Sequence, residues 1–204
     1  RLERMMTAIK LVYASVYSKN AKSYFKAIDH KVEEEKMAVI IQEVVGKQHD
    51  DYYYPHISGM AQSYNFYPIA HMAPEEGYAV AAIGLGQYVV EGEKSYRLSP
   101  KYPELEVNSP KELHKSSQVD FLAVDMKKDD INLLSDGEEA GLVRLNISVA
   151  EKHGVLKHCA SVYNIDNDII SPGLDRAGPR IINFANILKY NYIPFARVIS
   201  IILN

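Results

Sequence analysis

The residues best suited to do chemistry lie within one short stretch. Gly84-Leu85-Gly86 is followed by Gln87, Glu91, Glu93, Lys94 and Arg97, so polar and charged groups gather just past two glycines. Glycine has no Cβ, so Gly84 and Gly86 can take positive φ and let backbone N–H groups approach a bound anion closely. The same pair also suits a tight strand exit, where glycine is needed for steric reasons alone. In a helical turn Gln87 and Glu91, four apart, share a face, and Gly92 supplies the stop.

Other chemistry-bearing residues are less organised. Cys159 is the single cysteine, which excludes an intrachain disulfide and a multi-cysteine metal site and suits a reducing cytoplasm. His158 beside it could activate the thiol, against the plainer reading of a buried structural thiol. The seven histidines, His30, His49, His56, His71, His114, His153 and His158, show no metal-binding spacing and read as structural or surface residues. Asp166-Asn167-Asp168 opens like a calcium loop but lacks the glycine and distal glutamate, so it reads as a turn. The acidic runs Glu33-Glu34-Glu35 and Glu138-Glu139 read as solvated faces.

Composition limits the partners. A 204-residue chain with 47% hydrophobic and 24% charged residues has enough apolar material for one sizeable core or two small ones. Its formal net charge of -3 gives no electrostatic reason for nucleic acid or an anionic membrane as partner. No apolar run is long enough to span a bilayer, and the expectation is a cytoplasmic protein.

The elements that must position the glycine turn follow from periodicity. Ile9, Val12, Tyr13, Val16 and Tyr17 recur at helical spacing and predict one helix over residues 2–28. The run 37–45 is continuous, apolar and rich in β-branched residues, which predicts a buried strand. Residues 46–51 break it, and 52–67 predict a second strand with a turn or bulge at Ser58-Gly59. Residues 78–83 and 95–98 predict two more strands, 87–91 a single helical turn, and 101–110 a loop-like boundary. Residues 121–124 and 156–163 read as strands, 136–150 as either strand or helix, and 184–203 as helix interrupted near Pro194. Several closely spaced strands predict an antiparallel or mixed sheet flanked by helices. The chain opens inside a helical pattern and closes on apolar residues, so it is expected to be a piece of something longer.

Four blocks in order, AIKLVYASVYSKNAKSY at 8–24, AVIIQEVVG at 38–46, SGM at 58–60 and IGLGQYVVEG at 83–92, resemble the nucleotide-binding region of phosphoenolpyruvate synthases and pyruvate phosphate dikinases. Residues 169–190 resemble a segment found in a branch of phosphoenolpyruvate synthase-like proteins. The resemblance implies an α+β, ATP-grasp-like lobe with a mostly antiparallel sheet over residues 1–100, and a smaller C-terminal α/β region of unassigned role over 101–204. It also implies ATP and Mg2+, with phosphoryl transfer to a histidine on a separate domain and on to pyruvate.

Carried over residue by residue, the resemblance implies that Gln42, Glu43, Val44 and Val45 form the strand that contacts adenine. Ser58 and Gly59 match the family's SGV turn, and Gly84, Leu85 and Gly86 its GLGE motif; Gln87, Glu91 and Arg97 are then the polar candidates around phosphate and metal. Gln87 stands where the family usually has a metal-binding glutamate; Glu91, one helical turn on, reads either as the substitute ligand or as a solvated carboxylate. Asn20 and Phe25 stand where arginines are expected. The resemblance places the upstream ATP-grasp lobe before Arg1, and the phosphohistidine and pyruvate-binding domains after Asn204. A half-clamp of this kind is expected to be inactive alone. The departures motivate a second expectation: a degenerate ATP-grasp-like domain serving regulation or protein interaction.

Overall fold

Leu2–Ser15 (α1) and Lys19–Ala27 (α2) are two helices, where the apolar period predicts one. The break has a local cause. Tyr17 and Ser18 make tight 3.0 Å backbone bonds to Ala14 and Ser15, and the Ser18 hydroxyl accepts the Ala21 N–H at 3.2 Å, so Ser18 caps a new helix. Periodicity passes over such a cap because it tracks apolar positions only.

This computed structural model describes residues 2–29, 31, 35–129, 131–132, 137, 139–190 and 193–203. His30, Glu33, Glu34, Asp136 and Glu138 lie outside the described residues. Contacts divide the chain into two units, Arg1–Val44 with Asn132–Ala140, and Val45–Ile131 with Gly141–Asn204. In the first unit the described residues from 35 to 44 carry no regular structure, and in the second Val45 and Gly46 continue without it. The predicted buried strand over 37–45 is therefore not formed: Ile40 is 81% exposed and Val45 78%. A continuous apolar run makes a buried strand only when neighbouring strands pair its backbone and cover both faces. No such ladder exists among the described residues.

Among the described residues the second unit holds ten short strands: β1 (Lys47–His49), β2 (Tyr52–Tyr54), β3 (Ser58–Gln62), β4 (Tyr78–Ala82), β5 (Tyr96–Leu98), β6 (Asp120–Asp125), β7 (Leu142–Asn146), β8 (Ala160–Asn164), β9 (Ile169–Pro172) and β10 (Arg180–Ile182). They form three antiparallel sheets, in the orders β1-β2-β6-β7, β3-β4-β5 and β10-β8-β9. With the helices α3 (Gln87–Val90), α4 (Pro110–Ser116), α5 (Ile147–Lys152), α6 (Ala185–Leu188) and α7 (Phe195–Leu203), this is the α+β class expected from the sequence.

Three predicted elements change. Residues 46–51, read as a break, contain β1 and the turn into β2. The predicted 52–67 strand is two strands in different sheets, parted at Pro55-His56-Ile57, and Gly59 lies within β3 rather than at a turn. Only Gly fits there, because a Cβ would run into the Val80 carbonyl across the ladder. The predicted 156–163 strand starts at Ala160, since Val155–His158 is a 3-10 turn entered from Gly154 in the left-handed conformation. The undecided 136–150 stretch contains β7 followed by α5, which Asn146 caps.

One apolar cluster joins the sheets. Tyr54, Ala79, Ala81, Leu98, Phe121, Ala123, Leu156, Ile182 and Phe184 are among its buried members. Alternate residues of β4 explain its two sides: Ala79 and Ala81 enter this cluster, whereas Ala82 joins Tyr88, Val89 and Leu122 in a second one under α3.

Candidate functional site

β4 ends at Ala82 and the chain turns sharply through Ile83-Gly84-Leu85-Gly86 into α3. Gly84 takes φ +89 and is pressed onto β6, where a Cβ would lie 2.7 Å from the Leu122 carbonyl and 2.9 Å from Phe121 Cβ. Gly86 differs: its nearest neighbour would be Ser58 Cβ at 3.8 Å, so a methyl group fits. Four hydrogen bonds lock the turn. Ser58 Oγ donates to the Gly84 carbonyl at 2.5 Å, and Leu85 N–H donates to Leu122 O at 2.9 Å. The buried Gln118 side chain accepts Ile83 N–H at 2.8 Å and donates back to Ile83 O at 2.9 Å, standing in for a strand neighbour.

The turn is therefore rigid, and it leaves donors over. Within α3 the N–H groups of Tyr88, Val89, Val90 and Glu91 bond to carbonyls one turn back. Those of Gly86 and Gln87 have no acceptor among the described residues, the ordinary condition of a helix start, and they are available to an anion. Gln87 Nε2 donates to Glu91 Oε1 at 2.5 Å, so the pair predicted to share a face does so. Gly92, at φ +75, ends the turn as expected.

The structure thus brings Ser58, Gly84, Gly86, Gln87 and Glu91 together at one end of the β3-β4-β5 sheet, with Gly59 adjacent in β3. Arg97 is not with them. It sits on β5 opposite Val80, the middle residue of β4, whereas Gly84 lies beyond that strand's end. Its guanidinium lies 4.0 Å over the Tyr78 ring and donates to Asn65 Oδ1 at 2.6 Å, an anchor for the loop that follows β3. Gln42, Glu43 and Val44 fall in the first unit, exposed and irregular, and Val45 opens the second.

The donor set does not make a magnesium site by itself. Glu91 is committed to Gln87 through one oxygen, and Glu93 pairs with Arg144 at 3.1 Å. Among the described residues no group of three or more His, Cys, Asp or Glu side chains could hold a metal. Cys159 offers no nucleophile, because burial pushes its thiol up to about 12.

Sequence reasoning missed two features. Gln118 carries no signal, since an isolated polar residue before a strand reads as loop. The second is a cluster assembled from distant segments: His49 Nε2 lies 2.9 Å from His56 Nε2, the His49 ring stacks on His153 at 5.1 Å, and Tyr54 OH meets His153 Nδ1 at 2.7 Å. Burial pushes the Tyr54 hydroxyl up to about 12, so it stays protonated. Tyr54 in turn packs on Phe121, the ring against which Gly84 is pressed. Burial, then His56 and His153, holds the His49 pKa below its usual value; His56 is lowered by burial and then Lys47.

No described helix is long and apolar enough to cross a membrane. Among family models, the one for the pyruvate phosphate dikinase, AMP/ATP-binding domain matches residues 1–167. No curated protein and no solved structure matches the chain.

Proposed function

The chain belongs to the pyruvate phosphate dikinase AMP/ATP-binding domain family, and from that premise we propose that its glycine turn faces the phosphates of ATP. In this reading Gly86 and Gln87 supply backbone N–H groups to a phosphate, and Gly84 and Ser58 hold the turn that presents them. Arg97, engaged by Tyr78 and Asn65, serves the fold. The nucleotide's phosphoryl group goes to a histidine on another domain and then to pyruvate, as in a phosphoenolpyruvate synthase-like phosphotransferase.

The observation that supports this reading best is the pair of uncommitted N–H groups on a turn held by Ser58, Gln118 and Leu122. Preorganised donors of this kind bind anions without paying to order a loop. The test is a calorimetric titration of ATP, with and without Mg2+, into the full chain and its Gly86→Val variant. We expect the valine, whose branched side chain fills the approach beside Ser58, to weaken ATP binding about tenfold or more. Equal affinity in the two proteins would overturn the site assignment.

A second reading has its own support. Gln87 replaces a carboxylate and its amide occupies the Glu91 carboxylate, so charge for a metal is scarce. A nucleotide-sensing or interaction domain without turnover follows from that chemistry. Bound ATP that remains unhydrolysed and untransferred in the full-length protein would favour it over the phosphotransferase.

A further inference from the structure

Away from the glycine turn, residues from 106–113 and 161–190 line an open pocket of about 450 Å3, a size suited to a small molecule. Most of its lining, from Asp168 to Tyr190, lies beyond the family-matched residues 1–167. Its floor is polar and buried: Ser161 is 1% exposed and Asn183 7%. Ser161 Oγ donates to Asn183 Oδ1 at 3.0 Å, and the Ala185 N–H donates to the same oxygen at 3.3 Å. A backbone N–H can only donate, so it fixes which amide atom is the oxygen. Asn183 Nδ2 is then left to the cavity, with no acceptor among the described residues. That nitrogen is reached from the pocket, where a bound acceptor could meet it.

The walls and rim define what would satisfy it. Leu113 and Ile170 are apolar, and Lys189 is exposed with no ion pair among the described residues. Two carboxylates complete the lining. Asp168 accepts the Tyr163 hydroxyl through Oδ1 at 2.8 Å, and its other oxygen has no donor among the described residues. Glu106 accepts the Tyr96 hydroxyl at 2.9 Å and the Asn108 N–H at 3.1 Å. The Tyr163 pKa is raised by its hydrogen bond to Asp168, and that of Tyr96 by burial first and Glu106 second, so both hydroxyls remain donors to their carboxylates.

Amide donors and an ammonium group call for a carboxylate, the two carboxylates call for an ammonium, and the apolar wall calls for an aliphatic group. We propose that this cavity binds a free α-amino acid with an apolar side chain. Its carboxylate meets Asn183 Nδ2 and Lys189, its ammonium group meets Asp168 and Glu106, and its side chain lies on Leu113 and Ile170.

The test is calorimetric titration of L-leucine into the full chain, with N-acetyl-L-leucine and L-leucinamide as probes lacking one charge each. We expect saturable leucine binding and at least about tenfold weaker binding of both derivatives. Asn183→Asp keeps the oxygen that Ser161 and Ala185 need while removing the two amide donors, and is expected to weaken leucine binding by the same order. Lys189→Ala changes an exposed side chain and serves if the first variant does not fold; a loss of about threefold or more is expected. The proposal is overturned if leucine gives no saturable heat, if either derivative binds as tightly as leucine, or if the folded variants bind it unchanged.

Discussion

Gly84 and Gly86 stand two residues apart in one turn and tolerate opposite substitutions. At Gly84 a side chain meets both a left-handed backbone, φ +89, and backbone atoms of β6 that cannot step aside. Gly84→Ala should therefore cost about 2 to 4 kcal/mol, the sum of a strained φ and an overpacked contact. Gly86 has φ -63, and a methyl group there would sit 3.8 Å from its nearest neighbour, so it should accept alanine within about 1 kcal/mol. Urea denaturation at constant slope reads both values, and equal losses at the two positions would refute the distinction. In the sequence the two glycines are the same letter with the same permissiveness. What separates them is Phe121 and Leu122, brought against Gly84 only when β6 pairs within its own sheet, and no local pattern carries that information. The polar cluster after the glycines was legible because Gln87 and Glu91 meet within one helical turn; the engagement of Arg97 with Asn65 was not, because it joins two segments across a loop.

At the scale of elements, β4, α3 and β6 could be read because each is specified by its own residues: an apolar run closed by glycine, a four-residue turn closed by Gly92, a short apolar strand. The apolar run 37–45 could not be read correctly, because composition states that it could be buried and says nothing about which strand would pair it. The end of β4 shows the same dependence in a form that can be measured. Ile83 lies past the last ladder pair, and its N–H and carbonyl are satisfied by the Gln118 amide, which also donates to Asp120 O at 2.9 Å. Gln118→Leu fills a similar volume and leaves those buried backbone groups unpaired, so it should cost about 2 to 4 kcal/mol. Hydrogen exchange at the Ile83 amide should quicken in step, and an amide that stays as protected as in the native chain would show that Gln118 does not close the strand.

For the molecule as a whole, the groups with shifted pKa values predict how stability depends on acid. His49 and His56 are held below the ordinary 6.5 by burial and by cationic neighbours, among them Lys47, while Asp50 opposes the effect at His49. The unfolded chain therefore binds protons that the folded chain resists. Stability is full above about pH 7 and falls as pH drops through 6.5 toward the lower folded values, where the loss is complete. Geometry points the same way: two ring nitrogens 2.9 Å apart share one proton comfortably and two badly, and His153 is stacked on the same ring with Asp50 3.4 Å from its Nε2. The carboxylates act lower. Glu151 is held below 4.5 by its hydrogen bonds to Arg180, and Glu112 by its cap on Ser109, so their contributions persist until pH falls below that value. Urea midpoints measured from about pH 8 to about pH 3 should thus descend in two stages. His49→Gln should shrink the upper stage and leave the lower one, whereas Glu151→Gln should shrink the lower stage and leave the upper. A midpoint that stays level between about pH 7.5 and 5.5 would mean that the histidine cluster opens on protonation at no cost, and that the Tyr54–Phe121 contact behind the glycine turn does not depend on it.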